Sequence, residues 1–554
     1  MPNPIFQREL VTALRAPRSA WTLAITIGLL TAITLALWPA GGLYSLGEQA
    51  SHTLLSSVSL GGLLLALLIA PAFTATSLTA EKENASYDLL THTLLRPWQI
   101  AWGKIVSAQL YLLLLVLAIA PILAATLFLG GTGARQLVLV FAVITLAAVS
   151  TGLLGFAVSA WSRESFTALV ITYSGTLIWC VLPLLPVLLL RGLTLLVPML
   201  GAITYSSPIA TMLGILEPDL FVHMQLPVRP SAAIPIYFVT CGILGLACWM
   251  AGTLRILMPH LLSRERKSGG VTNLPRPEFP FVLIDPRRRK RLIGDWSNVV
   301  LAKELRSKTF GQAPWMIRGM YATFTVSLIF VWLMVKEGGA QQSAGAVLHL
   351  DVLKLAMIAF QVLVVILLTP ALLAGSVTQE TEQRQFELLR QTLLSPHGIL
   401  IGKTVSAWLL VVLLLIASIP MWWMMLYLES YQWIGTLISM AVVVCTLFLA
   451  SAVSLAATTV ARTTAVAAAI AFAVLAVLSF GTLAPLLMGN RLPPLWRNEL
   501  LSWNPFASGL QAVSIDFLKG EAMLWKRYVV HALGASAACF FIAWFFLWKK
   551  LRSE

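Results

Sequence analysis

Long apolar runs alternate with short polar segments along most of this chain. A run of about 20 apolar residues can cross the hydrocarbon core of a bilayer as a helix, and twelve such runs occur. The pattern therefore predicts an all-α polytopic membrane protein with about 12 transmembrane helices. The predicted spans are residues 20–38, 54–78, 105–129, 136–160, 166–190, 233–254, 317–335, 355–377, 404–428, 433–459, 463–489 and 528–548.

The composition and the charge distribution agree with this interpretation. Only 11% of the 554 residues are charged and the mean hydropathy is +0.85, whereas soluble proteins carry about 25% charged residues. The net charge is +15, but 28 of the 38 lysines and arginines fall on the inner side if the chain starts in the cytoplasm. The positive-inside rule then explains the basicity without a nucleic-acid partner. We predict an integral plasma (inner) membrane protein with cytoplasmic N- and C-termini.

A basic, proline-containing stretch divides the spans six and six. The predicted domains are a first six-span half at 1–258, a cytoplasmic Pro-rich basic linker at 259–297 and a second six-span half at 298–554. Six spans return the chain to the side from which it started, so both halves run in the same direction. We therefore expect two parallel six-helix repeats.

The two halves share a polar segment between their second and third predicted spans. Residues 79–108 and 378–407 align without a gap at a shift of 299. Acids, leucines, a proline and a Gly-Lys pair recur in one order, which a loop that only needs to be hydrated would not require. The matched positions include Glu81/Glu380, Glu83/Glu382, Asp88/Glu387, Leu89/Leu388, Leu94/Leu393, Pro97/Pro396 and Lys104/Lys403.

The repeated segment has the pattern of a short helix that fits a groove on a soluble partner. Leu89, Leu90 and Leu94 cluster within one helical stripe. Pro97 and Pro396 end that helix in the two halves and suit the start of the next one. Acidic flanks favour a protein partner over an anionic lipid surface, although a membrane-surface helix without a partner is the alternative. We interpret the Gly-Lys pair as a helix end at the interface whose lysine snorkels.

Each half also begins with an amphipathic segment and carries an apolar segment on its outer side. At 3–15, Asn3 suits a helix cap and Pro4 the first helical position, and residues 298–306 resemble this segment. The segments 191–232 and 490–527 lie between the fifth and sixth spans of their halves. The apolar stretches within them are too short to cross the membrane. We therefore expect a short outer re-entrant helix in each half.

The side chains and motifs that other membrane proteins use for ion coupling, nucleotide binding or catalysis are missing from the predicted spans. No Asp, Glu, Lys or Arg lies in the middle third of any predicted span, whereas ion-coupled carriers use such groups as relays. The stretch 398–404 has three residues between its glycines, and a phosphate-binding loop needs four. The five cysteines lie in apolar runs without a C-x-x-C pair. We expect no catalytic, cofactor or metal site, and an energy source outside the bilayer.

At the repeated segment the chain resembles permease subunits of the ABC-2 type, also called type V exporters. Glu81, Glu83, the Asp88-Leu89 pair, Pro97 and the following Gly-Lys carry this resemblance, and they recur in the second half. The six-span unit, the amphipathic helix and the outer helices also fit it, so the resemblance covers nearly the whole chain twice. Family members are often single six-span subunits, whereas this chain supplies two fused halves.

The resemblance implies a membrane-spanning subunit of an ABC transporter and not an enzyme. Separate ABC ATPase subunits, expected in two copies, would hold ATP and Mg²⁺ and dock on two cytoplasmic coupling helices. The chain would then work as a pseudo-dimer without a second permease chain. The implied partner-binding residues are Glu81, Glu83, Asp88, Leu89, Leu94, Pro97, Glu380, Glu382, Glu387, Leu388, Leu393 and Pro396.

Several alternatives stay open at this stage. The uncharged lining implied for spans two and five favours export of a hydrophobic or amphipathic substrate, although core packing gives the same composition. A 12-span secondary transporter would share the layout but predicts intramembrane charge. A non-transporting membrane anchor for cytoplasmic partners would explain the repeated loops, but not the twelve spans or the outer segments. The Met and Trp residues at 421–425 would suit copper, or packing at the membrane interface.

Overall fold

The structure is a computed structural model of the 554-residue chain. The predicted linker at 259–297 and much of the repeated polar segments lie outside the residues that the structure describes. The described residues are 4–15, 17–36, 48–83, 96–126, 133–184, 202–216, 230–257, 298–304, 313–339, 346–382, 391, 394–428, 433–483, 494–513 and 523–552.

Contacts divide the chain into two compact units, and the first contains Met1–Arg266. A short 3-10 turn, Leu182–Leu184, follows its fifth-span helix. The helices described in this unit are α1 (Pro4–Arg15), α2 (Pro17–Ala36), α3 (Glu48–Thr74), α4 (Thr79–Glu83), α5 (Pro97–Leu117), α6 (Ala120–Ala125), α7 (Ala134–Trp161), α8 (Ser165–Val181), α9 (Pro208–Leu216) and α10 (Pro230–Leu257).

The second unit contains Lys267–Pro485 and Leu492–Glu554. A 3-10 turn, Gly481–Leu483, again follows the fifth-span helix. The helices described in this unit are α11 (Val299–Glu304), α12 (Ala313–Gly339), α13 (Ala346–Leu373), α14 (Thr378–Glu382), α15 (Pro396–Ala417), α16 (Ile419–Leu428), α17 (Trp433–Val460), α18 (Thr464–Ser479), α19 (Pro494–Ser502), α20 (Pro505–Ala512) and α21 (Leu524–Arg552).

The helices confirm the predicted all-α polytopic membrane protein. Among the described residues, eleven helical stretches are long and apolar enough to cross a membrane, and no strand occurs. The predicted first span differs from the others, because α2 meets the same criterion only together with α1, as a bent pair. With that pair the described residues contain twelve candidate spans.

The third and ninth spans begin earlier than the apolar runs indicate. α5 begins at Pro97 and α15 at Pro396, and a proline suits the first helical turn because its missing N–H has no partner to lose. Lys104 and Lys403 therefore lie about two turns inside their helices. The prediction that they mark a helix end is wrong.

The predicted span 404–428 comprises two helices, α15 and α16, that meet at Ser418. Met421 and Met425, in the cluster considered for copper, are buried in the unit, whereas Trp423 is exposed. An exposed tryptophan near a span end is typical of the aromatic belt of membrane proteins. This arrangement is the one expected for packing at the membrane interface.

Each unit has a small-residue helix at its centre. α7 lies against α3 and α10 in the first unit, and α17 lies against α13 and α21 in the second. Their hydroxyl groups bind carbonyl groups one turn earlier: Thr151 Oγ1 donates to Ala147 O at 2.7 Å, and Thr446 Oγ1 donates to Val442 O at 2.8 Å. Such internal bonds let hydroxyl side chains lie in apolar helices.

Short helices follow the fifth span of each unit, within the segments predicted to lie outside. α9 and α20 both begin with a proline, and the polar residue before that proline binds the end of the fifth span. Ser207 Oγ donates to Cys180 O at 2.7 Å, and Asn504 Nδ2 donates to Ser479 O at 2.6 Å. The apolar stretch 193–203 lies almost entirely outside the described residues.

Candidate functional site

The second span of each unit breaks shortly before the repeated polar segment. α3 and α13 are each followed by four turn residues and then by a five-residue helix, α4 or α14. Pro71 and Pro370 lie near the ends of the long helices, where a proline removes one helical hydrogen bond. The turns leave backbone groups outside regular helix, and other parts of the same unit bind them.

A hydroxyl from the fourth span binds two backbone amides at each break. Ser159 Oγ accepts hydrogen bonds from the amides of Leu78 and Thr79 at 3.0 and 3.1 Å. Thr458 Oγ1 has the same role in the second unit, with distances of 3.2 and 3.1 Å. The start of α4 and of α14 is thus fixed to the central helix of its unit.

We expect Ser159→Ala to loosen the break in the first unit. Two buried amides lose their acceptor, and an unsatisfied buried group costs about 1–3 kcal/mol. Hydrogen–deuterium exchange measured by mass spectrometry should therefore become faster in the peptide 75–83. Thr145→Val is the control, because the Thr145 hydroxyl binds only Phe141 O inside α7 among the described contacts. Equal exchange in the two variants would contradict this role of Ser159.

A buried lysine in the first unit joins three helices by charge. Lys104 Nζ of α5 lies 2.8 Å from Glu81 Oε1 and 3.3 Å from Glu9 Oε1, and it donates to Ser77 O at 3.2 Å. Arg8 binds the same two carboxylates at 3.2 and 2.7 Å. Burial alone raises the pKa of Glu9, but Lys104 and Arg8 more than offset this, so that the pKa lies below its ordinary value.

The second unit contains the same cluster in a more buried form. Lys403 Nζ of α15 lies 2.9 Å from Glu380 Oε1 and 3.3 Å from Glu304 Oε1, and it donates to Ser376 O at 2.8 Å. Lys303 binds Glu380 at 3.2 Å. Each cluster pairs two cations with two carboxylates. The prediction that these lysines snorkel is wrong, because the side chains of Lys104 and Lys403 are only 3% and 1% exposed.

Apolar contacts support the approach of the amphipathic helix to the third span in each unit. Ile5 packs on Ile100 in the first unit, and Val300 belongs to the same buried cluster as Ile399 in the second. Gly402 allows the second contact to be close, because a Cβ at this position would lie 2.9 Å from Val300 Cβ. The glycine of the Gly-Lys pair is therefore a packing requirement at α11.

The second acid of each repeated segment binds the N-terminus of the fifth span. Glu83 Oε1 accepts from Ser165 N at 2.6 Å, and Glu83 Oε2 accepts from Ser165 Oγ at 2.7 Å. Glu382 binds the amide and the hydroxyl of Thr464 in the same way, both at 3.0 Å. Negative charge is favoured at a helix N-terminus, where amides lack intrahelical partners. These glutamates thus connect α4 to α8 and α14 to α18.

Lys82 gives the first unit an additional connection. Its Nζ donates to Ser159 O, Ala160 O and Ser162 O at 2.9, 2.7 and 2.9 Å. A lysine at the C-terminal carbonyl groups of a helix is a favourable helix cap. Thr381 stands at the corresponding position of the second unit, and its hydroxyl binds Val377 O within its own segment.

Residues 5–183 match the family model of the ABC-2 type transporter. The matched stretch is about a third of the chain. The matched stretch includes the first-unit ion cluster, the hydroxyl of Ser159 and the Glu83–Ser165 contact. A comparison with curated proteins finds no match to this chain.

The helices and the family match agree on the class of protein. The described helices are those of a multi-pass integral membrane protein, and residues 5–183 are similar to the membrane domain of ABC-2 type transporters. Permeases of that family are transport components that normally work with ABC ATPase subunits. The resemblance found in the sequence is thereby confirmed over residues 5–183.

Both units use part of the predicted partner-binding set for internal contacts. Glu81, Glu83, Glu380 and Glu382 all bind groups of their own unit, as described above. Pro97 and Pro396 begin α5 and α15. The other predicted residues lie outside the described ones: Asp88, Leu89, Leu94, Glu387, Leu388 and Leu393.

Sequence reasoning missed the partners of these acids. Ser159 and Ser165 of the first unit correspond to Thr458 and Thr464 of the second at the same shift of 299 that aligns the polar segments. The alignment of the two halves at this shift therefore continues without a gap as far as the fifth span. Comparison of the halves beyond residue 108 would have exposed the recurring hydroxyl residues, although not the atoms that they bind.

Proposed function

We propose that this chain is a permease of two fused halves that exports a hydrophobic or amphipathic substrate. Two separate ABC ATPase subunits, each with ATP and Mg²⁺, dock on the two predicted coupling helices, within the docking segments 84–95 and 383–394. Their closure drives alternating or lateral access of the substrate, in an inner membrane with both chain termini in the cytoplasm. A pseudo-dimer of this kind does not require a second permease chain.

The observation that carries the proposal is the duplicated framework around both segments. In each unit a break in the second span, a buried lysine cluster and a glutamate at the fifth-span N-terminus occur at corresponding positions. A loop without a mechanical role does not need three attachments to its own unit. A framework present in both units supports one docking site in each.

The composition of the implied substrate path supports an apolar cargo. Residues 55–74 and 355–373 of the second spans contain no charged residue, and neither do α8 and α18. Tyr173 brings a hydroxyl into this region, but it donates to Leu68 O at 2.7 Å. Ion-coupled transport uses charged side chains within the membrane, and these stretches contain none.

Co-purification from the native host tests the docking part of the proposal. We expect the tagged full chain, extracted in mild detergent, to retain an ATPase with phosphate-binding motifs, in a ratio of two ATPase subunits to one chain by native mass spectrometry. The double variant Asp88→Arg, Glu387→Arg should lose this partner, because it reverses charge in both proposed docking segments. The matched control is Asp219→Arg, Glu521→Arg, which makes the same charge change in the segments predicted to lie outside.

The outcomes separate the candidate functions. Loss of the ATPase only in the docking variant supports the proposal. A wild-type chain that purifies alone under several mild detergents would favour a secondary transporter. Retention of cytoplasmic partners without nucleotide-dependent ATPase activity would favour a membrane anchor.

A further inference from the structure

Glu83 and Glu382 each connect two parts of a unit that lie 82 positions apart in sequence. Glu83 is the last residue of α4, directly before the proposed docking segment, and it binds the first residue of the fifth-span helix α8. We propose that Glu83 and Glu382 are positioning residues, through which movement of each docking segment reaches the fifth span of its half. This inference rests on the proposed function, because it requires an ATPase that moves the segment.

One face of α4 is directed to the fifth span. Thr79 and Glu83 are one helical turn apart and both contact Ser165, since the Thr79 and Ser165 hydroxyl oxygens are 3.0 Å apart. The hydrogen bonds from Ser165 to the Glu83 carboxylate are charge-assisted, which makes them stronger than bonds between neutral groups. Movement of α4 therefore displaces the first turn of α8.

The opposite face of α4 is attached to the amphipathic helix and the third span. Glu81 is two residues from Glu83, and residues at this spacing do not share a helix face. Its carboxylate joins the cluster of Lys104 and Arg8. A load on the docking segment thus reaches α8 through one face of a five-residue helix, while the other face is held to α1 and α5.

The first turn of α8 depends strongly on Glu83. Only residues 162–164 connect α7 to α8, and Glu164 at the N-cap position makes no side-chain cap hydrogen bond. In the second unit, Thr463 caps α18 with an Oγ1 that accepts from Val466 N at 3.4 Å. We therefore expect the first unit to be more sensitive to loss of its glutamate than the second.

The test uses the full chain in lipid nanodiscs with the ATPase captured as described above. Amide exchange is measured by mass spectrometry without nucleotide and after trapping with ATP, Mg²⁺ and vanadate. In the wild type, trapping should change exchange in the peptides 84–95 and 163–170. In Glu83→Gln, which removes the charge and one acceptor, the peptide 84–95 should keep this change and the peptide 163–170 should lose it. Glu382→Gln should cause only a partial loss in the peptide 462–469.

The outcomes distinguish a positioning role of Glu83 from a merely structural one. A merely structural role of Glu83 would raise exchange of the peptide 163–170 equally in both states and preserve their difference, which would overturn the inference. Ser165→Ala removes one of the two hydrogen bonds and should reduce the difference in part, so it replaces Glu83→Gln if that variant does not fold. A wild-type peptide 84–95 that does not respond to trapping would instead refute the proposed function, together with this inference.

Discussion

Lys403→Met should destabilise the second unit by about 3–5 kcal/mol, the usual cost of removing one partner from a buried ion pair. The Lys403 side chain is 1% exposed and those of Glu304 and Glu380 are each 7% exposed, so water cannot replace the lost cation. Methionine has a similar length, and the loss therefore reports charge more than packing volume. The measurement is thermal unfolding in detergent with a thiol-reactive dye, for which the five free cysteines are the reporters.

The first unit supplies the matched comparison for this prediction. Lys104→Met removes the corresponding cation, but Glu9 and Glu81 have side chains that are 30% and 15% exposed. Partial solvation of these acids should make the loss smaller than for Lys403. The double variant Lys403→Met, Glu380→Gln should recover part of the stability, since it removes one uncompensated charge. Equal melting temperatures for wild type and Lys403→Met would contradict the prediction.

Gly402→Ala should detach the amphipathic helix of the second unit from its third span. The added Cβ would lie 2.9 Å from Leu301 N and from Val300 Cβ, too close for the present packing. Overpacking of this kind costs about 1–3 kcal/mol, and a shift of α11 would also move Glu304 away from Lys403. Amide exchange in the peptide 298–304 should therefore become faster, and the melting temperature should fall.

Gly534→Ala is the control for the same chemical change. This glycine lies within α21, and a Cβ there would meet no atom within 4 Å. Alanine is favoured over glycine in a helix interior by about 1 kcal/mol, so this variant should be neutral or more stable. A similar loss of stability in both variants would show that helix α11 does not require the close approach at Gly402.

The apolar pattern was sufficient to predict the helices, because the cost of burying polar backbone in lipid leaves few structures for a long apolar run. It could not place the starts of α5 and α15 at Pro97 and Pro396. The first two turns of these helices carry polar residues, Gln99 and Lys104 among them, that the pattern assigns to a loop. Lys104 binds two carboxylates of its own unit, and Gln99 Oε1 accepts a hydrogen bond from the amide of Arg96.

The repeated acids were recognised from the sequence, but their internal contacts could not be. Spacing alone does not distinguish a carboxylate that binds a partner from one that binds its own unit. Glu81 and Glu380 bind lysines 23 positions further along, and Glu83 and Glu382 bind amides 82 positions further along. Such contacts depend on how helices pack, and the spacing of residues in a single sequence does not report packing.

The order of residues in the two ion clusters has a consequence for biosynthesis. In the first unit Glu9 and Glu81 precede Lys104, and the second unit repeats this order with its two acids before Lys403. During synthesis from the N-terminus, both glutamates of a cluster are therefore added to the chain before its buried lysine. Neither cluster can close until the third span of its half has been translated. Attachment of the amphipathic helix through the buried lysine thus has to wait for the third span of the same half.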